Sequence, residues 1–194
     1  MIVTNADSLS AKKIVILDRD GVINIDSPDY IKTAAEWIPI PGSIEAIARV
    51  NQAGYQVVIA TNQSGLGRGL FDEYTLAQIH HKLRYMVEEA GGTIGGIFYC
   101  PHLPGDGCTC RKPATGLLAQ IEQEMNSKLS DCWFIGDSEK DVEAARAYGC
   151  LPALVKTGNG LIAASTLNQP GLEPVPVFDD LANAIDQLYF SNHV

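Results

Sequence analysis

The stretch from Ile14 to Asn24, I-V-I-L-D-R-D-G-V-I-N, decides the fold. Four consecutive apolar residues read as a short buried strand, which ends abruptly in Asp18 and Asp20 flanking Arg19, with Gly21 behind them. In an open α/β sheet, ligands bind at the carboxyl ends of the strands, so charge at this tip marks a place for chemistry. Residues two apart on an extended segment point the same way, which directs Asp18 and Asp20 towards one small volume. Two adjacent carboxylates repel, so either a metal neutralises them or one takes up a proton. A strand followed by an ordinary Asp-Gly turn fits the same residues, and the rest of the chain has to decide between the two.

Downstream, the pattern repeats. Gly42 to Ala53 carries apolar positions at helical spacing and stops at Gly54; Tyr55 to Ala60 reads as a second strand, tipped by Thr61, Asn62, Gln63 and Ser64. Strand, helix, strand implies a right-handed parallel crossover. The run Gly65-Leu66-Gly67-Arg68-Gly69 fails as a dinucleotide loop, because Leu70 occupies the third glycine position of G-x-G-x-x-G, and no P-loop motif occurs. A helix is predicted from Asp72 to Ala90, with His80 and His81 on a solvated or packed face, then a strand over Gly95 to Tyr99. Thr115 to Asn126 reads as helix and Cys132 to Ile135 as a fourth strand, ending in Gly136-Asp137-Ser138-Glu139-Lys140-Asp141. A helix over Val142 to Tyr148, a strand over Leu151 to Val155, a loop from Gly158 to Pro176, a short strand near Val175 to Phe178 and a helix over Asp179 to Phe190 complete the pattern. Between the first strand and first helix, Ile25 to Pro41 reads as an irregular loop over the site, offering Asp26, Asp29 and Tyr30 as binding groups.

Cys100 to Cys110, C-P-H-L-P-G-D-G-C-T-C, is the second unusual stretch. Cys100, His102, Cys108 and Cys110 supply the four N/S ligands of a closed tetrahedral zinc site, with Pro and Gly turning the chain between them. A closed site has no open position for substrate, so this zinc is expected to be structural. Cys132 and Cys150 lack such partners and read as small buried hydrophobes.

The bulk numbers limit the function. The 194 residues, 46% hydrophobic and 19% charged, suit one domain with a buried core. A formal net charge of −9 argues against nucleic acid or an anionic membrane as partner. An anionic small substrate remains compatible, provided a metal and a few placed cations reverse the sign locally. Met1 to Lys13 lacks the apolar core of a secretory signal, and no window approaches the roughly 18 apolar residues of a membrane span. Five cysteines, three of them clustered with a histidine, suit a reducing compartment, so a cytoplasmic monomer is expected.

Asp18 with Asp20, Thr61, Lys112, and Asp137 with Asp141 occur in one order along D-R-D-G, A-T-N-Q-S-G, R-K-P and G-D-S-E-K-D. Together these four motifs resemble the haloacid dehalogenase (HAD) superfamily of phosphatases, from about Ile14 to Gly160. The resemblance implies a capless, Rossmann-like α/β fold, a parallel sheet with helices on both faces, carrying a small zinc loop. C-P-H…C-x-C-R-K-P is similar to the branch acting on heptose bisphosphate or histidinol phosphate. The short loop between His102 and Cys108 resembles the histidinol enzymes, whereas Ser64, Arg68 and Gly69 in T-N-Q-S-G-x-x-R-G look like the heptose enzymes and carry more weight. The resemblance thus implies a small phosphorylated sugar as substrate. It also implies Asp18 as nucleophile and Asp20 as general acid and base, a role that needs a raised pKa. Mg²⁺ is implied on Asp18, Asp137 and the backbone carbonyl of Asp20, with Thr61 and Lys112 on the phosphoryl group. Arg19, Asn62, Gln63, Ser64, Arg68 and Arg111 join the loop residues as substrate contacts, and Asp141 is expected to brace Lys112 or the metal shell.

Overall fold

The computed structural model describes residues 13–167 and 173–191. Six parallel strands form one sheet: β1 (Lys13–Leu17), β2 (Tyr55–Asn62), β3 (Ile94–Cys100), β4 (Trp133–Gly136), β5 (Leu151–Val155) and β6 (Val177–Phe178), in the order β3-β2-β1-β4-β5-β6. Parallel strands need crossovers, and helices supply most of them. They are α1 (Ser43–Gln52), the single turn α2 (Ser64–Gly67), α3 (Glu73–Glu89), α4 (Gly116–Met125), α5 (Glu139–Tyr148) and α6 (Gly160–Leu167), followed at the end by α7 (Leu181–Ile185) and a π-helical turn, Asp186–Phe190.

Alternation along the central strands builds both faces. Val15 and Leu17 join Val57 and Ile59 under Ile47 of α1, Ile79 and Leu83 of α3 and Leu181 of α7. Ile14 and Ile16 point the other way, with Val58 and Phe134, against Leu117 and Ile121 of α4 and Ala144 of α5. Strands covered on both sides must be apolar throughout, which is why β1 reads as a continuous hydrophobic run.

This order fixes where the chemistry sits. The chain builds β1, β2 and β3 outward, then crosses back to place β4 on the free side of β1. The three functional strand tips, after Leu17, at Thr61 and after Gly136, therefore come from neighbouring strands around the topological switch point, where such sheets bind ligands.

Two elements differ from the sequence reading. The loop expected from Gly158 contains α6, whose Ala163 and Leu167 pack on Val142 and Leu154; with only Ser165 and Thr166 polar among its eight residues, the segment has no alternation of polar and apolar faces to mark a helix. The glycine run after Thr61 folds into α2, and Gly67 packs so closely that a Cβ there would stand 2.5 Å from the Pro101 carbonyl oxygen. Gly65 and Gly67 serve close packing, and Gly69 takes a left-handed turn with a φ of 68°, in line with the rejected nucleotide motifs. Residues 1–12, and 168–172 at the centre of the 158–176 stretch, lie outside the described residues. Among the described residues, no helix is long and apolar enough to cross a membrane.

Candidate active site

The strand tips open into a cavity of about 260 Å³ lined by Asp18, Asp20, Thr61, Lys112 and Asp137, with Asp26, Tyr30, Asn62, Gln63 and Arg111 also on its wall. Asp18 leaves β1 with its Oδ1 accepting from the Arg19 backbone N–H at 2.7 Å, while its Oδ2 lies 2.9 Å from Lys112 Nζ. Lys112 Nζ donates to the Ala60 carbonyl at 2.8 Å and forms ion pairs with Asp18 at 2.9 Å and with Asp141 Oδ1 at 2.6 Å. Burial works against that ammonium, but the Asp141 and Asp18 carboxylates outweigh it and hold its pKa up at about 12.

Asp141 braces Lys112, as the sequence led us to expect, and its Oδ2 also accepts from the Ser138 N–H and hydroxyl at the start of α5. Asp137 accepts from the Asn159 backbone N–H at 2.8 Å. The turn after Asp20 comes so close that a Cβ on Gly21, whose φ is 79°, would lie 2.2 Å from Asp137 Oδ2; only glycine fits.

Asp18, Asp137 and Asp141 offer oxygens within 4.8 Å of one another. Burial pushes Asp18 up to about 8, with Asp141 and Asp137 adding repulsion that Lys112 only partly offsets. Burial likewise raises Asp137 to about 6, helped by Asp141. Three crowded carboxylates facing one ammonium fit a divalent cation, and the all-oxygen donor set is that of Mg²⁺.

Asp20 differs from expectation. Its side chain is not part of the three-carboxylate cluster; it is gripped by Arg19 Nε and Nη2 at 2.9–3.1 Å, Asn24 Nδ2 at 2.9 Å and Gln63 Nε2 at 2.8 Å. Burial raises its pKa, but Arg19 and these donors outweigh burial, so the pKa is lowered where a raised one was expected. Arg19 is correspondingly buried, spending its guanidinium on Asp20 and on Gln63 Oε1 at 3.0 Å. Asn62, expected to touch substrate, exchanges hydrogen bonds with the Lys112 backbone at 3.1 and 3.2 Å and so positions that residue. Asp29, Ser64 and Arg68 do not line the cavity: Asp29 is exposed, Ser64 is buried in α2, and the Arg68 guanidinium lies over the Tyr30 ring at 6.0 Å.

The cavity also presents residues the sequence reading passed over, Ser27, Ser138, Lys140 and Asn159. Asn159 follows the β5 tip, where the strand-end rule applied to the other tips points equally well. Lys140 carries a different signal: it is a cation in the first turn of α5, where the helix dipole favours anions.

Beside this cavity, Cys100, His102, Cys108 and Cys110 converge. Cys110 Sγ lies 3.2 Å from both Cys100 Sγ and His102 Nδ1, and the Cys100–Cys108 and Cys108–Cys110 pairs stand at 3.7 and 3.6 Å. Zinc bonds of about 2.0–2.3 Å in a tetrahedron require ligand separations of about 3.3–3.8 Å; the observed pairs span 3.2–3.7 Å, close enough that a small outward shift of Cys110 lets the four residues hold zinc. Arg111 and Lys112 follow directly, and Arg111 Nη1 donates to the His102 carbonyl at 3.2 Å.

The sheet order and this cavity define a HAD-like hydrolase, and the HAD-hydrolase-like family model matches residues 109–184. The D-glycero-β-D-manno-heptose-1,7-bisphosphate 7-phosphatase of Pseudomonas aeruginosa is 57% identical over 172 residues, covering 89% of this chain and 95% of that protein. The enzyme of that name from Bordetella bronchiseptica is 50% identical over 177 residues, covering 91% of this chain and 97% of its own. A crystal structure of the B. bronchiseptica D,D-heptose 1,7-bisphosphate phosphatase, complexed with magnesium and phosphate, superposes with a TM-score of 0.86 at 48% identity, covering 91% of this chain and 97% of that one. The chain belongs to this family of HAD-like heptose bisphosphate phosphatases.

Proposed function

We propose that this chain hydrolyses the 7-phosphate of D-glycero-D-manno-heptose 1,7-bisphosphate, as the names of its relatives state for those enzymes. The observation that carries the reading is the meeting of Asp18, Asp137, Thr61 and Lys112 in one cavity whose wall also offers Arg111 and Lys140. The first four suit a reacting phosphoryl group; the other two are cations left for a second anionic group.

A carboxylate oxygen of Asp18 attacks phosphorus, the bond from phosphorus to the sugar oxygen breaks, and an aspartyl-phosphate forms. Asp20 gives its proton to the departing oxygen. Water then attacks the aspartyl-phosphate, Asp20 takes the water's proton, and inorganic phosphate leaves as Asp18 is regenerated. The donors that lower the pKa of Asp20 suit the base half of this cycle, and a phosphate dianion docking beside it raises its proton affinity for the acid half. The Thr61 hydroxyl donates to a phosphoryl oxygen while Lys112, bridging Asp18 and Asp141, offsets charge.

Asp18 and Asp137, with the Asp20 carbonyl that the family resemblance implies, would hold Mg²⁺. Bound there, the ion supplies the positive charge that lets a phosphate dianion approach a carboxylate. Zinc on the four-ligand loop would be structural, fixing the segment that delivers Arg111 and Lys112. Arg111 and Lys140 would take the unreactive phosphate, with Lys140 in the place expected of Arg68. The five free thiols suit a reducing cytoplasm, and we read the whole chain as one catalytic domain acting as a monomer. The test is phosphate release from heptose 1,7-bisphosphate against histidinol phosphate, with the bisphosphate as the better substrate.

A further inference from the structure

His80 lies in α3, on the packed side of the sheet, and the mechanism above does not use it. Its Nε2 stands 3.3 Å from Arg19 Nη1, on the far side of the guanidinium from Asp20. Arg19 can only donate, so Nε2 must be the unprotonated nitrogen and the ring proton sits on Nδ1. Burial, with Arg19 beside it, pushes the His80 pKa down to about 3, so the ring remains a neutral acceptor across the working range. The ring also leans on Tyr99 of β3, centroids 5.9 Å apart, which limits its rotation.

We propose that His80 is a positioning residue for proton transfer: as the acceptor behind Arg19, it fixes the guanidinium plane that presents the Asp20 carboxylate to the leaving group. The proposal rests on the reading of Asp20 as general acid. Arg19 divides its donors among three partners, Asp20, Gln63 Oε1 and His80. A fork held on three sides cannot swing. With His80 gone, Nη1 loses its partner, the guanidinium plane is less fixed, and Asp20 keeps Asn24 and Gln63 but loses part of what sets its direction. The step most sensitive to that direction is protonation of a poor leaving group.

The experiment compares kcat and KM of wild type, His80→Phe and His80→Gln on heptose 1,7-bisphosphate, whose alkoxide needs a proton, and on an aryl phosphate, whose phenolate does not. His80→Phe should lower kcat on the sugar phosphate by about tenfold, the scale of one charge-assisted hydrogen bond. On the aryl phosphate kcat should stay within about twofold, with KM unchanged on both. His80→Gln, whose amide oxygen can still accept from Arg19, should recover most of the loss. In an Asp20→Asn background His80→Phe should change nothing further. Should His80→Phe fail to fold, His80→Leu, which likewise removes the acceptor behind Arg19, should give the same selective loss. Equal losses on both leaving groups overturn the proposal and reduce His80 to packing. Asp20→Asn run alone separates the two failures: if its own loss is selective while that of His80→Phe is not, the general-acid reading stands and only the role of His80 falls.

Discussion

Replacing Lys112 with methionine keeps the bulk of a side chain only 3% exposed and removes the charge between Asp18, 2.9 Å away, and Asp141, 2.6 Å away. Breaking a buried ion pair costs about 3–5 kcal/mol, because the abandoned partner remains buried and charged. Two carboxylates lose their partner here, but burial has already pushed Asp18 up to about 8, so at neutral pH it takes up a proton cheaply. The cost therefore falls at the low end, about 3 kcal/mol. At roughly 2–4 °C per kcal/mol for a chain of this size, the melting temperature should drop by roughly 6–12 °C. Catalysis loses a preorganised cation, worth about 10²–10³ in kcat. Thermal unfolding followed by circular dichroism and steady-state phosphate release measure the two effects on one preparation. A melting temperature within about 2 °C of wild type would refute the ion-pair reasoning, since no relaxed pair of buried carboxylates is that inexpensive.

Cys108→Ser should reduce zinc from about one per chain to a small fraction, lower the melting temperature and depress kcat through Arg111 and Lys112; purified active protein free of zinc would contradict the closed four-ligand site. A carboxyl whose folded pKa lies above its unfolded value costs stability as pH rises between the two. For Asp18, that means from about 3.8 up to about 8, and for Asp137 up to about 6. Mg²⁺ relieves that cost, so the rise in melting temperature on adding it should be larger at pH 8 than at pH 6, and equal rises would show carboxylates already ionised without the ion.

Most of the architecture was legible in the sequence because its elements carry short-range signals. The β1 run is apolar throughout because both its faces are covered, and Gly54 and Gly149 stop α1 and α5 where the glycines predict. The bringing together of Asp18, Thr61 and Asp137 also follows from strand tips in a parallel sheet, which share one edge whatever their sequence distance, while Lys112 reaches them from the loop between β3 and α4. What the sequence could not supply is direction. Asp20 is two residues from Asp18, yet its carboxylate turns towards Arg19 and Gln63, a choice made by partners 44 residues apart in the chain. Arg68 sits next to the Thr61 tip in sequence but lies over Tyr30, and Lys140 reaches the cavity in its place because α5 begins three residues earlier than its apolar pattern shows. His80 is separated from Arg19 by 61 residues, and nothing in the spacing of α3 announces the contact.

The central claim is the substrate, and it rests on charge. A sugar bisphosphate carries a second anionic group to Arg111 and Lys140, whereas histidinol phosphate brings an ammonium to the same cations. Remote binding energy of this kind is expressed in the transition state, so it shows in kcat/KM. The decisive measurement is kcat/KM for heptose 1,7-bisphosphate and histidinol phosphate, on wild type and on Arg111→Ala. The bisphosphate should be clearly preferred, and the preference should shrink by about tenfold or more in the variant, the loss of one charge-assisted contact. Equal efficiency on the two substrates in the wild-type enzyme would contradict the account.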